Sequence, residues 1–314
     1  MLSRRLLRVK VMQMVYAFNK NGDVSIPEME KELFKSIAKS YELYHLFLLL
    51  ITDIHAYAKN RIEKGRNKKI PSPADLNPNT RFIDNAVLQQ LADGSHLQRY
   101  LEVTPLSWSD HPELIRGLFN RILESPLYEA YMDDDSSDYA SQQKFVVKIV
   151  EKVIAQYEPL YEQLEEHNIF WNDECEFIMS MVIKTLKEFQ EDKGTEQNYQ
   201  PEFKDAEDRD FVTRLYRKAL VKQHDFVDLI QKYAQNWDLE RVAYMDIVLM
   251  QIALAEILEF PEIPVKVSLN EYIELAKHYS TPKSSQFING ILDKVVEHFQ
   301  AEKVLVKTGR GLME

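Results

Sequence analysis

Residues 263–299 read IPVKVSLNEYIELAKHYSTPKSSQFINGILDKVVEHF, and this stretch decides the fold. Its apolar residues recur at helical spacing on both sides of Thr281-Pro282, which predicts two helices separated by a turn. Ser268 and Glu271 have the spacing of a capping box that would open the first helix, over residues 269–279. The second helix is expected to end at Phe299, with inward positions Phe287, Ile288, Ile291, Leu292 and Val295.

The rest of the chain shows the same helical pattern. Ser3 can cap a first helix whose apolar stripe continues to Phe18. Further helices are predicted over residues 28–40 and 41–62, shorter ones before residue 135, and long amphipathic ones from Gln142 onward. Because no useful stretch of strand alternation occurs, we predict an all-α fold, a helix bundle.

Composition narrows the class of protein. The 314 residues contain only 8 glycines, which suits a helical chain with few turns. A single cysteine, Cys175, cannot form an internal disulfide or a cysteine-based zinc site and is expected to be a small core residue. No apolar run is long enough to span a bilayer, and no signal-peptide cleavage site follows the basic start. We therefore expect a cytoplasmic protein without a membrane partner.

Motifs for catalysis are missing from the sequence. It contains no Walker motif, no GxGxxG after a strand, no GxSxG elbow and no HExxH. The histidines lack the spacing of metal ligands, so His45 and His55 are interpreted as structural or surface residues. We expect no enzyme activity, no catalytic residue, no cofactor, no metal and no small-molecule substrate.

Charge is unevenly distributed along a chain whose formal net charge is −11. Residues 1–20 hold five basic residues and no acid, whereas residues 129–138 hold five acids and no base. Arginine forks match phosphates, glutamine can contact a base edge, and tyrosine can stack on an unpaired base. The first helix therefore indicates a nucleic-acid surface formed by Arg4, Arg5, Arg8, Lys10, Gln13 and Tyr16.

Two further residues conflict with a purely structural interpretation. Asp246 lies on a strongly apolar helix, where a carboxylate needs either an internal arginine or a basic protein docked against it. Gly290 lies inside the last helix, where glycine costs about 1 kcal/mol relative to alanine. Either tight packing against another helix or close approach of a ligand would account for it.

An internal similarity appears when the chain is shifted by 66 residues. Phe145 then superposes on Phe211, Trp171 on Trp237, and Val182 on Val248. Duplication and chance similarity between two amphipathic helix pairs both remain open. In either case both segments predict the same helical hairpin.

These residues together resemble the NusB family of bacterial transcription antitermination factors. Residues 263–295 resemble the family's C-terminal signature. Arg241, Asp246 and the IALAEIL stretch at 252–258 are similar to the family's helix with its acidic residue and its alanine-glutamate-leucine run. The arginine-rich start of the chain fits the family's first helix.

The resemblance implies a non-catalytic factor that binds the boxA element of nascent ribosomal RNA leaders jointly with NusE, a small-subunit ribosomal protein, within the transcription elongation complex. The implied RNA-binding residues are Arg4, Arg5, Arg8, Lys10, Gln13, Tyr16, Gln286, Phe287, Asn289 and Gly290. The implied NusE-facing residues are Tyr16, Glu240, Asp246 and Phe287.

The chain departs from the family in length. Typical members are less than half as long, so residues 1–60 and 205–314 are expected to form the NusB-like halves. Residues 61–204 form a helical insertion of unknown role, with a possible degenerate repeat at 142–189. Its basic stretch, Lys59 to Lys69, is a hypothetical extension of the RNA path.

Single residues also depart from the family pattern. Leu6 interrupts the arginine run, Gln251 stands where arginine is usual, and Lys283 stands where an acid is common. The RNA and NusE surfaces are expected to differ at these positions.

Two alternative functions fit parts of the same pattern. A helical protein-interaction scaffold without RNA binding fits the repeat pattern. Certain ribosomal RNA cytosine methyltransferases carry the same helical fold at their N-terminus, but they need a separate α/β cofactor domain, for which this chain has no room.

Overall fold

The computed structural model describes residues 2–134, 136, 138–171, 173–234 and 242–312. In chain order its helices are α1 (Arg4–Lys20), α2 (Ile26–Arg66), α3 (Pro73–Leu76), α4 (Ala86–Ala92), α5 (Ser95–Val103), α6 (Pro112–Leu123), α7 (Pro126–Asp133), α8 (Tyr139–Lys152), α9 (Glu158–His167), α10 (Cys175–Glu188), α11 (Glu207–Val221), α12 (Gln223–Tyr233), α13 (Tyr244–Glu259), α14 (Val265–Tyr279) and α15 (Ser284–Ala301).

The all-α prediction is confirmed, since the described residues contain no strand and only one isolated bridge pair, Leu2 with Phe203. Within the same residues, no helix combines the length and apolar character needed to cross a membrane.

The chain divides into two compact units. The terminal unit comprises residues 2–37 and 202–314, and the central unit comprises residues 38–201. The N-terminal division thus falls inside α2, a single helix where the sequence predicted two, over residues 28–40 and 41–62. The physical reason is that no glycine or proline lies between Pro27 and Gly65, so the helix continues without a break for 41 residues.

The terminal unit is built around α13. Residues 248–257 of this helix are all buried, because α13 is apolar around its whole circumference and packs against α1, α11, α12, α14 and α15. The last helix, α15, agrees with the sequence-based expectation, and its five predicted inward residues are buried.

The predicted capping box at Ser268 is wrong, because α14 begins at Val265, directly after Pro264. Ser268 is fully buried within the helix, and its hydroxyl donates to Glu256 across 2.7 Å. Glu271 instead accepts hydrogen bonds from Arg5.

The segment after α15 returns to the end of α13. The Lys307 Nζ donates to the carbonyl oxygens of Ile257 at 2.8 Å and Phe260 at 3.0 Å. Glycine is required at Gly311, where a Cβ atom would lie 1.9 Å from the Pro261 carbonyl oxygen. This segment therefore satisfies carbonyl groups that the helix end leaves free.

In the central unit, α8 packs against α4, α7 and α10. Phe145 on α8 stacks on Tyr131 with a centroid distance of 3.8 Å. Cys175 is buried, as predicted, and His45 and His55 are buried and hydrogen-bonded to backbone carbonyl groups.

The segments of the internal similarity both contain helices, with α8 and α10 corresponding to α11 and α13. The superposed residues Phe145 and Phe211 are buried, and so are Val182 and Val248. Trp237 lies outside the described residues. Duplication therefore stays a prediction.

Candidate nucleic-acid and partner interface

The arginines of α1 all meet carboxylates of the terminal unit. The Arg4 Nε donates to Asp208 Oδ1 at 3.0 Å. Arg5 makes a two-pronged contact with Glu271, with distances of 2.9 and 2.8 Å, and its side chain is 56% exposed. The hydrogen bond from Arg5 lowers the pKa of Glu271. Arg4 and Arg5 therefore lie at the surface with their guanidinium groups already engaged.

Arg8 is a core residue, contrary to the expectation that it holds RNA phosphates. It is 4% exposed, and its Nε and one terminal nitrogen each donate to the Glu256 carboxylate across 2.7 Å. Burial lowers the pKa of Arg8, but the hydrogen bonds and charge of Glu256 more than compensate and raise it above its ordinary value. Lys10 is also fully buried, so neither side chain presents its charge to solvent.

The fully buried Glu256 connects three helices. Besides the two bonds from Arg8 on α1, its carboxylate accepts hydrogen bonds from Ser268 at 2.7 Å and Tyr272 at 2.9 Å, both on α14. Four donors thus satisfy one buried carboxylate, as a buried charge requires. Arg8 holds α1 in place against α13 and leaves the neighbouring arginines at the surface.

Asp246 has internal partners, but they are hydroxyl groups and not an arginine. It is 4% exposed and accepts hydrogen bonds from Ser280 at 2.5 Å and Ser284 at 2.8 Å. These bonds connect the first turn of α13 to the turn before α15. Glu240 and Arg241, the other residues assigned to this region from the sequence, lie outside the described residues.

An aromatic and cationic cluster lies at the exposed C-terminal end of α1. The Tyr16 side chain is 38% exposed and meets Tyr244 edge to face, with ring centroids 5.5 Å apart. The Lys20 Nζ lies 4.0 Å from the centroid of Tyr244 and 5.9 Å from that of Tyr16. A cation over aromatic faces is a favourable arrangement that also suits stacking of a base beside a phosphate.

Lys20 and Tyr244 were missed by the sequence analysis. Their signals were the four-residue spacing between Tyr16 and Lys20 and the position of Tyr244 two residues before Asp246. Gln13, from the predicted set, is half-buried on the same helix.

The first two turns of α15 present polar residues to solvent. Gln286, Asn289 and Gly290 are exposed, whereas Phe287 is 6% exposed. The Asn289 amide donates to Asp293 at 2.9 Å. Among the described residues, no heavy atom outside the backbone of α15 itself lies within 4 Å of the position that a Cβ at Gly290 would take. Tight packing against another described helix therefore does not account for this glycine.

A series of contacts within the terminal unit connects the aromatic cluster of α1 to the start of α15. Tyr16 contacts Tyr244 at the start of α13, and Asp246, two residues later, binds the Ser284 hydroxyl at the start of α15. We call the exposed residues along this chain the α1–α15 surface; they are Tyr16, Lys20, Lys283, Gln286, Asn289 and Gly290.

The three departures from the family pattern lie in different environments. Leu6 and Gln251 are buried, and the Gln251 amide donates to the Ala219 carbonyl at 2.9 Å. Only Lys283 is exposed. Lys283 is therefore the departure that changes the charge of the α1–α15 surface.

Comparison with known proteins agrees with the resemblance. A model of the NusB family matches residues 176–297. Three curated relatives carry the name transcription antitermination protein NusB. The protein from Salinibacter ruber is 42% identical over 109 residues, which cover 35% of this chain and 68% of that protein.

The relative from Chloroherpeton thalassium is 44% identical over 110 residues, covering 35% of this chain and 52% of that protein. The relative from Koribacter versatilis is 37% identical over 123 residues, covering 37% of this chain and 84% of that protein. No solved structure matches. Because the matches at 42% and 37% identity extend over most of those relatives, this chain belongs to the NusB family of transcription antitermination proteins.

Proposed function

We propose that this protein binds boxA-type single-stranded RNA together with a NusE-type ribosomal protein in the transcription elongation complex of the cytoplasm, and that it catalyses no reaction. The observation that carries the proposal is Gly290. It is an exposed glycine in the interior of an 18-residue helix, and it has open space around its Cβ position. Helix propensity disfavours glycine there, so close approach of an external chain to the helix backbone accounts for it.

The chemistry of the residues around Gly290 supports RNA as one ligand of the α1–α15 surface. Tyr16 offers a ring for base stacking, and Lys20 and Lys283 offer exposed cations for phosphates. Gln286 and Asn289 carry amide groups that can form hydrogen bonds with base edges. Arg4 and Arg5 lie on the same helix as Tyr16 and supply further positive charge, which their carboxylate partners reduce.

The negative net charge of this chain supports a basic protein as the second ligand of the α1–α15 surface. The chain has a formal net charge of −11, and it presents few unpaired cations on α1. A basic partner would complete an RNA site that this chain forms only in part. Tyr16 and Phe287 are the proposed contacts, and Asp246 positions the start of α15 beneath them.

Filling the space above Gly290 tests the proposal. We expect Gly290→Leu to weaken binding of a fluorescently labelled boxA RNA in the presence of NusE, because the side chain blocks approach to the backbone. Gly290→Ala shows that a side chain at this position does not disrupt folding, since alanine should stabilise the helix by about 1 kcal/mol relative to glycine. Gln300→Leu is the matched control, because Gln300 is exposed on the same helix but lies beyond the α1–α15 surface.

Fluorescence anisotropy with a scrambled RNA as reference measures the effect. Weaker binding of boxA RNA to Gly290→Leu, with unchanged binding to Gln300→Leu, supports the proposal. Equal binding by all variants contradicts it. Equal and weak binding of both RNAs by the unaltered protein would favour the alternative, a helical scaffold without RNA binding.

A further inference from the structure

The central unit contains a groove that the proposed function does not use. Its volume is about 630 Å³, and its walls come from the end of α2, from α3 and from α6 and α7. This volume lies within the range of roughly 300–1,000 Å³ that is usual for small-molecule sites. Three basic residues of the stretch noted in the sequence, Arg61, Lys64 and Lys68, lie in the wall at the end of α2.

One side of the groove is aromatic. Its lining includes four aromatic rings that contact one another in series, in the order Tyr57, Phe119, Phe82 and Tyr128, with neighbouring ring centroids 5.5 to 5.9 Å apart. The two phenylalanines are buried, whereas the two tyrosines are half-buried and present part of their rings to the groove. Such a wall can stack against a flat heterocycle.

The other side is cationic. Arg61, Lys64 and Lys68 follow one another at helical spacing and all line the groove. Among the residues that the structure describes, no carboxylate lies within ion-pair distance of Arg61 or Lys64. The Arg61 guanidinium lies 5.6 Å from the centroid of Phe119, at the junction of the two sides. In a chain with a net charge of −11, two exposed cations without an acidic partner indicate an anionic ligand.

The third cation is held differently. The Lys68 Nζ contacts both oxygens of Asp75, at 2.8 and 3.1 Å, and this contact lowers the pKa of Asp75 to about 2. Gly65 allows α3 to approach α2 here, since a Cβ at that position would lie 2.8 Å from an Asp75 oxygen. Lys68 therefore neutralises the only carboxylate among the groove's described lining residues and fixes the position of α3.

We propose that this groove binds a nucleotide, with its base against Tyr57 and Tyr128 and its phosphate on Arg61 and Lys64. The chemistry combines a flat aromatic group with an adjacent anionic phosphate, which is what the two sides of the groove complement. A nucleotide within single-stranded RNA and a free mononucleotide share this chemistry. The groove belongs to the central unit, so the inference goes beyond the function proposed for the α1–α15 surface.

The test uses the full chain and a pentanucleotide RNA that contains 4-thiouridine. Irradiation followed by mass spectrometry identifies the cross-linked peptide, which we expect to contain Tyr57 or Tyr128. Cross-links in the terminal unit report on the proposed function instead, so failure of one proposal is distinguishable from failure of the other. A cross-link at neither tyrosine would overturn the inference.

Affinity measurements locate the phosphate. Arg61→Ala combined with Lys64→Ala should weaken pentanucleotide binding about tenfold and reduce the slope of log affinity against log salt by about 0.7, because the two residues hold one phosphate of a single strand. Lys59→Ala combined with Arg66→Ala is the matched control, because both residues are exposed on the same helix but do not line the groove. Equal losses in the two double variants would overturn the site and leave only a general charge effect.

Two further measurements complete the design. Tyr128→Leu should weaken binding without changing the salt slope, since it removes stacking and no charge. Competition of the cross-link by uridine monophosphate and by unlabelled pentanucleotide distinguishes the two sources of ligand. We expect the pentanucleotide to compete at lower concentration; competition by neither would contradict the inference.

Discussion

The buried ion pair between Arg8 and Glu256 gives the sharpest prediction about stability. Replacing Arg8 with methionine keeps most of the side-chain volume but removes two charge-assisted hydrogen bonds, each 2.7 Å long. The Glu256 carboxylate, which is fully buried, would keep only the hydroxyl groups of Ser268 and Tyr272 as partners. Since leaving one charge of a buried pair without its partner costs about 3–5 kcal/mol, we expect a loss of this size.

Urea denaturation followed by circular dichroism measures the change. Because the chain divides into two compact units, the curves are fitted with two transitions, and the loss is assigned to the transition that Arg8→Met shifts. Arg5→Met is the matched control. It breaks a two-pronged ion pair with Glu271 on the same helix, but Arg5 is 56% exposed, so its loss should cost at most about 1 kcal/mol.

A second substitution tests whether the unpaired Glu256 carboxylate causes the loss of stability. Glu256→Gln added to Arg8→Met removes the unpaired buried charge and keeps an acceptor for the two hydroxyls. The double variant should therefore be more stable than Arg8→Met alone. A cost below about 1 kcal/mol for Arg8→Met, or no recovery in the double variant, would refute the reasoning.

Two other predictions concern pH and the C-terminal segment. Burial lowers the pKa of His45 from 6.5 to about 3, so over this pH range the unfolded chain binds a proton at His45 that the folded protein does not. The central unit should therefore lose about 1.4 kcal/mol of stability per pH unit as pH falls from 6.5 toward 3. His45→Phe should flatten this dependence in urea unfolding, and an unchanged slope would contradict the prediction. Gly311→Ala should displace the C-terminal segment and speed its digestion by carboxypeptidase, because the new Cβ would meet the Pro261 carbonyl oxygen. Gly22→Ala is the control, since a Cβ there has open space and should leave the digestion rate unchanged. Equal digestion rates for the two variants would refute the contact.

The sequence predicted the helical fold well because the decisive signals are local. The apolar periodicity of residues 284–299 and the proline at 282 define α15 without reference to any other part of the chain. The long α2 shows the limit of the same reasoning. The sequence predicted two helices here, over residues 28–40 and 41–62, but a segment without glycine or proline continues as one helix when tertiary packing covers it.

The site was harder to predict because burial depends on residues far apart in sequence. Arg4, Arg5 and Arg8 look alike within one turn, yet only Arg8 points to Glu256, which lies 248 residues away. The signal that could have separated them was Glu256 itself, a carboxylate in an apolar helix that needed a cation just as Asp246 needed a partner. For Gly290 the sequence allowed two explanations, and only the structure shows that no helix among the described residues packs against its Cβ position.

The most direct test of the central claim is the affinity of the unaltered protein for labelled boxA RNA, measured by fluorescence anisotropy at fixed moderate salt. The measurement is made with and without NusE from the same organism, and with a scrambled RNA as reference. We expect tighter binding to boxA RNA than to the scrambled RNA, and a further increase in affinity when NusE is added. Equal affinity for both RNAs, unaffected by NusE, would contradict the account.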